Sequence, residues 1–206
     1  MKIDEEKAFA LLKKYSIPVP RQIFTLDIKR AIDFAKDVGF PVYIKLCSPE
    51  IIHKTEAGAV KRIENIHMLE KEFKKMKDTR FKKKSILIQE RIEGVELLAG
   101  AKLDPQFGHV LIFGLGGIWV EILHDISMRI VPINRADARQ MIEETKCSRL
   151  LKGFRGIPAT RIDKVEQCLL NLSRLLENNP DIKEMDINPL FANRKGVWAA
   201  DVRIIA

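Results

Sequence analysis

The chain has 206 residues, enough for one domain or two small lobes, and it is 46% hydrophobic and 31% charged; a chain of this kind buries a sizeable core, which excludes peptides and isolated zinc fingers. Its net charge of +8 points towards an acidic partner, but Lys71 to Lys84 alone supplies six of those charges, so the remainder is nearly balanced. No apolar run is long enough to cross a membrane, three acids precede the first apolar stretch where a signal peptide would carry none, and Cys47, Cys147 and Cys168, an odd set without CxxC spacing, fit reduced thiols in a cytoplasmic protein better than a disulfide framework or structural zinc site.

Ala8, Leu11, Leu12 and Tyr15 recur at helical spacing and predict a first helix, ended by Pro18 and Pro20. Asp27 opens a second, with Ile28, Ala31, Ala35 and Val38 on one face and Gly39 at its close. PVYIKL (41–46) reads as a buried strand, followed by a loop with Pro49 and Gly58 and a short strand near Val60–Ile63. In the basic stretch Leu69, Phe73 and Met76 keep helical spacing, so one stripe packs and the lysines face water; a nucleic-acid surface is the competing reading, and the 7% aromatic content offers no stacking platform for it. SILIQE (85–90), VELLAGAKL (95–103), HVLIF (109–113), WVEIL (119–123) and RIVPI (129–133) read as strands, 135–146 and 163–177 as helices. A hairpin, EMDINPLFA and VWAADVRII, closes the chain. Irregular interleaving of strands and helices predicts an α+β class rather than a doubly wound sheet.

The hairpin permits a finer reading. Ile187, Pro189 and Phe191 alternate on one strand, and Trp198, Ala200, Val202 and Ile204 on the other. With Asn193–Gly196 as the loop, Ala192 pairs with Val197 and paired positions sum to 389. Asn188 then faces Asp201, and Asp186 faces Arg203, all on the side opposite the apolar set. Two oxygen-bearing side chains one cross-strand pair apart suit a hard cation such as Mg²⁺; an Asp186–Arg203 salt bridge with Asn188 capping a turn is the alternative.

Other residues suggest phosphate chemistry. Lys45 stands mid-strand between Ile44 and Leu46, where an ammonium is either a clamp for polyphosphate oxygens or a snorkelling edge lysine. GLGG (114–117) lacks the third glycine of a dinucleotide fingerprint, Trp119 standing there; it either lets the backbone turn sharply or cradles an anion on successive N–H groups. No GxxxxGK[ST] occurs, which excludes a P-loop. His53, in SPEIIHKTEAGAV, lies in an exposed loop, and a ring nitrogen is a nucleophile at neutral pH. His67, His109 and His124 share no metal-ligand spacing and read as structural.

The succession KKYSIPVP, GFPVYIKLCSPEIIHKTEAGAV, ILIQERIEGVELLAGAKLDPQFG, FGLGGIWVEILHDISMRIVPI and EMDINPLF with AADVRI resembles the ATP-grasp (β) subunit of ADP-forming acetyl-CoA (acyl-CoA) synthetases and, more distantly, the β subunit of succinyl-CoA synthetase, from about residue 5 to 205. The resemblance implies an ATP-grasp fold of two α+β lobes enclosing a nucleotide site, one at about 19–90 and the other at about 91–206 with the helix at 4–15 docked on it. It implies that Lys45 contacts nucleotide phosphates, that Gln89 and Glu90 recognise adenine, and that Glu96 is a further nucleotide-contacting acid. Gly114, Gly116 and Gly117 match the family's Gly-rich turn, Asn188 and Asp201 its Mg²⁺-binding pair with Asp186 assisting, and His53 a transiently phosphorylated histidine. Two positions depart from the family's pattern: Ala59 after Gly58, and His109 where proline is usual.

The function so implied is phosphoryl transfer between a phosphohistidine and ADP/ATP with Mg²⁺, as an acid–thiol ligase active only with a CoA-binding α subunit in an α2β2 heterotetramer, with neither nucleic acid nor membrane as partner. Another ATP-grasp carboxylate ligase and a non-catalytic basic binding module are the competing readings.

Overall fold

The computed structural model describes residues 1–48, 50–51, 58–81, 84–117 and 125–206. Over these the elements run α1 (Glu5–Lys14), β1 (Gln22–Phe24), α2 (Ile28–Val38), β2 (Val42–Cys47), β3 (Val60–Ile63), α3 (Ile66–Lys77), β4 (Ser85–Glu90), β5 (Val95–Asp104), β6 (Gly108–Leu115), β7 (Ile126–Ile130), α4 (Arg135–Glu144), α5 (Cys147–Leu151), α6 (Ile162–Glu177), β8 (Glu184–Ala192), β9 (Val197–Ala199) and β10 (Arg203–Ile205). Helix starts follow local chemistry. Asp27 accepts the Lys29 N–H at 2.8 Å to open α2, Asn65 accepts the Met68 N–H at 3.0 Å to open α3, and Asn134 forms a reciprocal capping box with Asp137 at α4. At the other end of α3 the Lys84 ammonium donates to the carbonyls of Lys77 and Thr79, so part of the basic run caps a helix rather than standing free.

Contacts gather the chain into two compact units, one of Asp4–Glu6 and Pro20–Arg91, the other of Met1–Ile3, Lys7–Val19 and Ile92–Ala206. The first holds an antiparallel sheet in the order β1-β4-β2-β3. Its core joins Val42, Ile44 and Leu46 of β2 and Ile86 and Ile88 of β4 to Ala31 and Ala35 of α2 and Leu69, Phe73 and Met76 of α3. Period-two alternation therefore sends the even-numbered residues of β2 and β4 to the helices and the odd-numbered ones to the opposite face.

The second unit holds a sheet in the order β10-β8-β5-β6-β7, with β9 pairing the far end of β8. Ala99, Ala101, Leu111, Phe113, Met185, Ile187 and Ile204 are buried on one face, where the Ser127 hydroxyl donates to the Met141 carbonyl of α4 at 2.8 Å. Within this unit the end of α1 is tied to α6: Asn171 donates to the Ser16 carbonyl and Asn179 to the Tyr15 hydroxyl.

The hairpin register is as expected from the loop. Ala192 pairs with Val197, Phe191 with Trp198, Asp186 with Arg203 and Met185 with Ile204. Its alternation is not. Leu190 and Ala192 are buried while Phe191 and Pro189 are half-exposed, and Val197 and Ala199 are buried while Trp198 is half-exposed. A register shift opposite Leu97–Ala99 inserts one residue at 188–189 of β8, and an extra residue swaps the faces of the strand beyond it. Pro189 has no N–H for the ladder, which separates β9 from β10; its carbonyl still accepts from the Ala200 N–H at 3.1 Å. The inserted position falls on both strands at the same level, so the register survives and the inner and outer faces exchange.

Other expectations also shift. The strand read at 129–133 lies at Ile126–Ile130, because Pro132 cannot extend the ladder. The helix expected to reach 146 ends at Glu144, with Thr145 extended, and the short α5 follows it. The three-residue β1 gives too short a pattern to be read from sequence. The strand expected at 119–123 lies outside the described residues.

Candidate functional site

In the first unit, β2 holds Lys45 between Leu87 of β4 and Val60 of β3. The strand is interior to its sheet, and Lys45 is 6% exposed, so the edge-lysine reading fails. Ile44 and Leu46 take the helix side and Lys45 the opposite face, which it shares with Leu87 and Gln89 of the neighbouring strand. Gln89 is 2% exposed and donates to the Gln22 carboxamide on β1 at 2.6 Å. Glu90 belongs to the other alternation. Its carboxylate accepts the Arg21 N–H at 2.7 Å while its own N–H donates to the Arg21 carbonyl. The structure thus brings Lys45 and Gln89 onto one face and turns Glu90 away from it.

In the second unit, the face of the sheet opposite α4 carries a row made of Arg203 on β10, Asp186 on β8 and Gly100 on β5. Asn188 lies two residues from Asp186 on the same strand, and its carboxamide oxygen accepts the Gly117 N–H at 3.0 Å. Gly116 donates to the Glu96 carbonyl at 2.9 Å. Gly117 has φ +66°, which favours glycine, and a Cβ there would lie 2.4 Å from a Glu96 carboxylate oxygen, so the carboxylate sits against this turn. Glu96, Gly116, Gly117 and Asn188 form one contiguous group. Gly114 belongs to the same turn but serves packing: a Cβ there would meet the Asp125 carbonyl at 2.2 Å.

Asp186 lies within the electrostatic reach of Asp201. Burial pushes the Asp186 carboxyl above the ordinary carboxylate range, the Arg203 guanidinium pulls it back, and the like charges of Asp201 and Glu184 push it up again. Arg203 makes its ion pair with Glu184 rather than with its cross-strand partner Asp186, which corrects the salt-bridge alternative for the hairpin. The signal was available, because a diagonal neighbour on the same face is within reach of a long side chain. Two further contributors escaped sequence reasoning. Gln22 fixes Gln89, and Asp125 accepts the N–H groups of Lys146 and Cys147 at 2.8 and 3.1 Å. His53 lies outside the described residues.

The donor set fits a hard cation. Asp186 and Asp201 feel each other's like charge, and the Asn188 carboxamide oxygen, after accepting from Gly117, keeps a second lone pair. Among the described residues no three His, Cys, Asp or Glu side chains form a metal cage. Mg²⁺ takes one or two protein carboxylates and completes its shell with phosphate oxygens and water.

The ATP-grasp domain model matches residues 1–206, the whole chain. The chain belongs to the ATP-grasp family. Within it, the chain is 40% identical to the β subunit of acetate–CoA ligase [ADP-forming] II of Pyrococcus furiosus, over 98% of its own length and 90% of that protein's. It is 36% identical to acetate–CoA ligase [ADP-forming] I of Archaeoglobus fulgidus, over 95% of its own length and 30% of that protein's. The Candidatus Korarchaeum cryptofilum acetyl-coenzyme A synthetase 1, solved with coenzyme A and Mg-AMPPCP and with its phosphohistidine segment pointing towards the nucleotide-binding site, superposes with a TM-score of 0.85 at 35% identity, covering 99% of this chain and 92% of that one. The fold is the ATP-grasp fold, of the α+β class.

Proposed function

We propose that the chain is the nucleotide-binding β subunit of an ADP-forming acyl-CoA synthetase, working with a CoA-binding α subunit in an α2β2 assembly in the cytoplasm. The observation that carries this is the Asn188 carboxamide accepting the Gly117 N–H beside the Glu96 carboxylate, on the strand that also bears Asp186. Asn188 and Asp201 would hold Mg²⁺, with Asp186 assisting from the same strand as Asn188 and the Arg203 charge offsetting part of its own. Mg²⁺, when bound, neutralises charge on the transferred phosphoryl group. Lys45 offers a fixed positive charge suited to nucleotide phosphates, and its buried strand position means that little reorganisation is needed during transfer. Gln89, held by Gln22, presents a carboxamide to the adenine edge, and Glu96 adds a further nucleotide contact.

Acyl-CoA and phosphate give an acyl phosphate and CoA on the partner. The phosphoryl group passes from the acyl phosphate to a histidine, releasing the carboxylate, and then to ADP, giving ATP and the free histidine; the reverse direction makes acyl-CoA. His53 is the relay nucleophile on this chain. Little covalent chemistry is asked of the nucleotide side, where positioning and charge do the work.

Co-expression with the CoA-binding subunit of the same host tests this. The pair should form ATP from acetyl-CoA, phosphate and ADP, and the lone chain should bind Mg·ADP without turnover. ATP consumption by the lone chain with a carboxylate and an amine would instead make it a self-contained ligase.

A further inference from the structure

The segment joining α5 to α6 is shaped for contact rather than for packing. Phe154 and Ile157 exchange backbone hydrogen bonds of 3.0 and 2.9 Å. Between them Arg155 has φ +41° and Gly156 φ +87°, the two left-handed central positions of a type I′ turn. Glycine is expected at the second. Arginine at the first carries a steric cost that asparagine or glycine would avoid, so the fold alone does not explain it.

The base of the turn is tied down. Gly153 donates to the Leu150 carbonyl at 3.1 Å, Thr160 to the Leu151 carbonyl at 2.8 Å, and Arg161 to the Asn193 carbonyl at 3.0 Å. Phe154 is 47% exposed and Ile157 42%, and the Arg155 guanidinium lies 5.3 Å from the centroid of the Phe154 ring. An anchored tip therefore holds an aromatic ring, a branched aliphatic chain and a guanidinium out to solvent. Aromatic residues and arginine dominate the energetic centres of protein interfaces, and a tip already ordered in the free chain loses little entropy on docking.

We infer that this tip docks the CoA-binding subunit, Phe154 and Ile157 entering an apolar recess and Arg155 meeting a carboxylate at its rim. The inference rests on the functional reading above, which requires such a partner. The relatives supply the reason for a surface contact. In the Archaeoglobus fulgidus protein this domain is 30% of a longer chain, whereas the Pyrococcus furiosus protein is a subunit matched over 90% of its length, so in the latter a surface of the domain itself must hold the partner.

The test is the dissociation constant of the full chain and its CoA-binding subunit, measured by analytical ultracentrifugation, for the wild type, Arg155→Gly and Phe154→Ala/Ile157→Ala. Glycine suits φ +41° better than arginine, so Arg155→Gly should keep or raise the melting temperature. We expect both variants to weaken assembly about tenfold or more, the range for losing an interface anchor, with ADP affinity of the lone chain unchanged and ATP formation restored by excess partner. Wild-type dissociation constants in both variants would overturn the docking assignment and leave the functional reading standing. Failure of the wild-type chain to bind the partner at all would overturn both.

Discussion

The two sheets present their chemistry differently. In the four-stranded sheet one charged side chain interrupts an otherwise apolar strand: Lys45 sits in a run of buried residues, its alternation intact and its neighbours on β3 and β4 in simple register. In the six-stranded sheet the functional positions lie where regularity fails, at the insertion of 188–189, the gap between β9 and β10 and the glycine turn after β6. A regular strand serves to place one fixed charge. An irregular one lets the Asn188 carboxamide meet a backbone N–H, that of Gly117, from a distant stretch of chain.

This contrast can be broken or sharpened by substitution, the largest effects coming from the irregular sheet. Asp201→Ala should abolish Mg·ADP-dependent turnover of the reconstituted complex in a coupled ATP assay, and near-normal turnover would refute the metal assignment. Lys45→Met, which keeps volume in a buried position, should lower turnover about 10²–10³-fold, as expected for a lost transition-state charge contact, with an unaltered circular dichroism spectrum; a melted fold would mean that Lys45 is structural. Gly117→Ala puts a side chain at φ +66° and displaces the Glu96 carboxylate, and should cost about 10–100-fold in turnover, the range for a disturbed supporting group. A silent Gly117→Ala would remove that turn from the site.

Much of this was legible in the sequence, for identifiable reasons. The hairpin register followed from the loop length alone, and with it the pairing of Asp186 with Arg203. The helix caps at Asp27 and Gly39 and the packed stripe of α3 followed from spacing. The face exchange at 188–189 did not, because an inserted residue leaves the order of residue types unchanged and is fixed only by pairing with β5. Nor did Gln22 as partner of Gln89, since β1 is three residues long and carries no periodicity. Arg203 was legible as a neighbour of Asp186, but its choice of Glu184 depends on side-chain reach rather than on register.

Smaller effects test the scaffold of each sheet. Asp27→Ala removes the cap of α2 and should destabilise the four-stranded unit by about 1 kcal/mol in urea titration, without altering nucleotide affinity. On the other side, burial pushes the Cys147 and Cys168 thiols up to about 11 and about 12, from an ordinary 9.0. Above pH 9 the unfolded chain loses these protons first, so the stability they contribute is present below that pH and lost as pH rises towards 11–12, at up to about 1.4 kcal/mol per pH unit for each thiol. Unfolding midpoints measured from pH 8 to 10.5 should show this decline, and serine at both positions should flatten it.

Electron paramagnetic resonance of Mn²⁺, titrated into the lone chain with and without ADP, tests the central claim most directly. Wild type should bind one Mn²⁺ in the presence of ADP, and Asn188→Ala and Asp201→Ala should each lose that signal while metal-free ADP binding persists. Wild-type Mn²⁺·ADP binding in both variants would contradict the account, because the ion would then be held without the two strands that define the site.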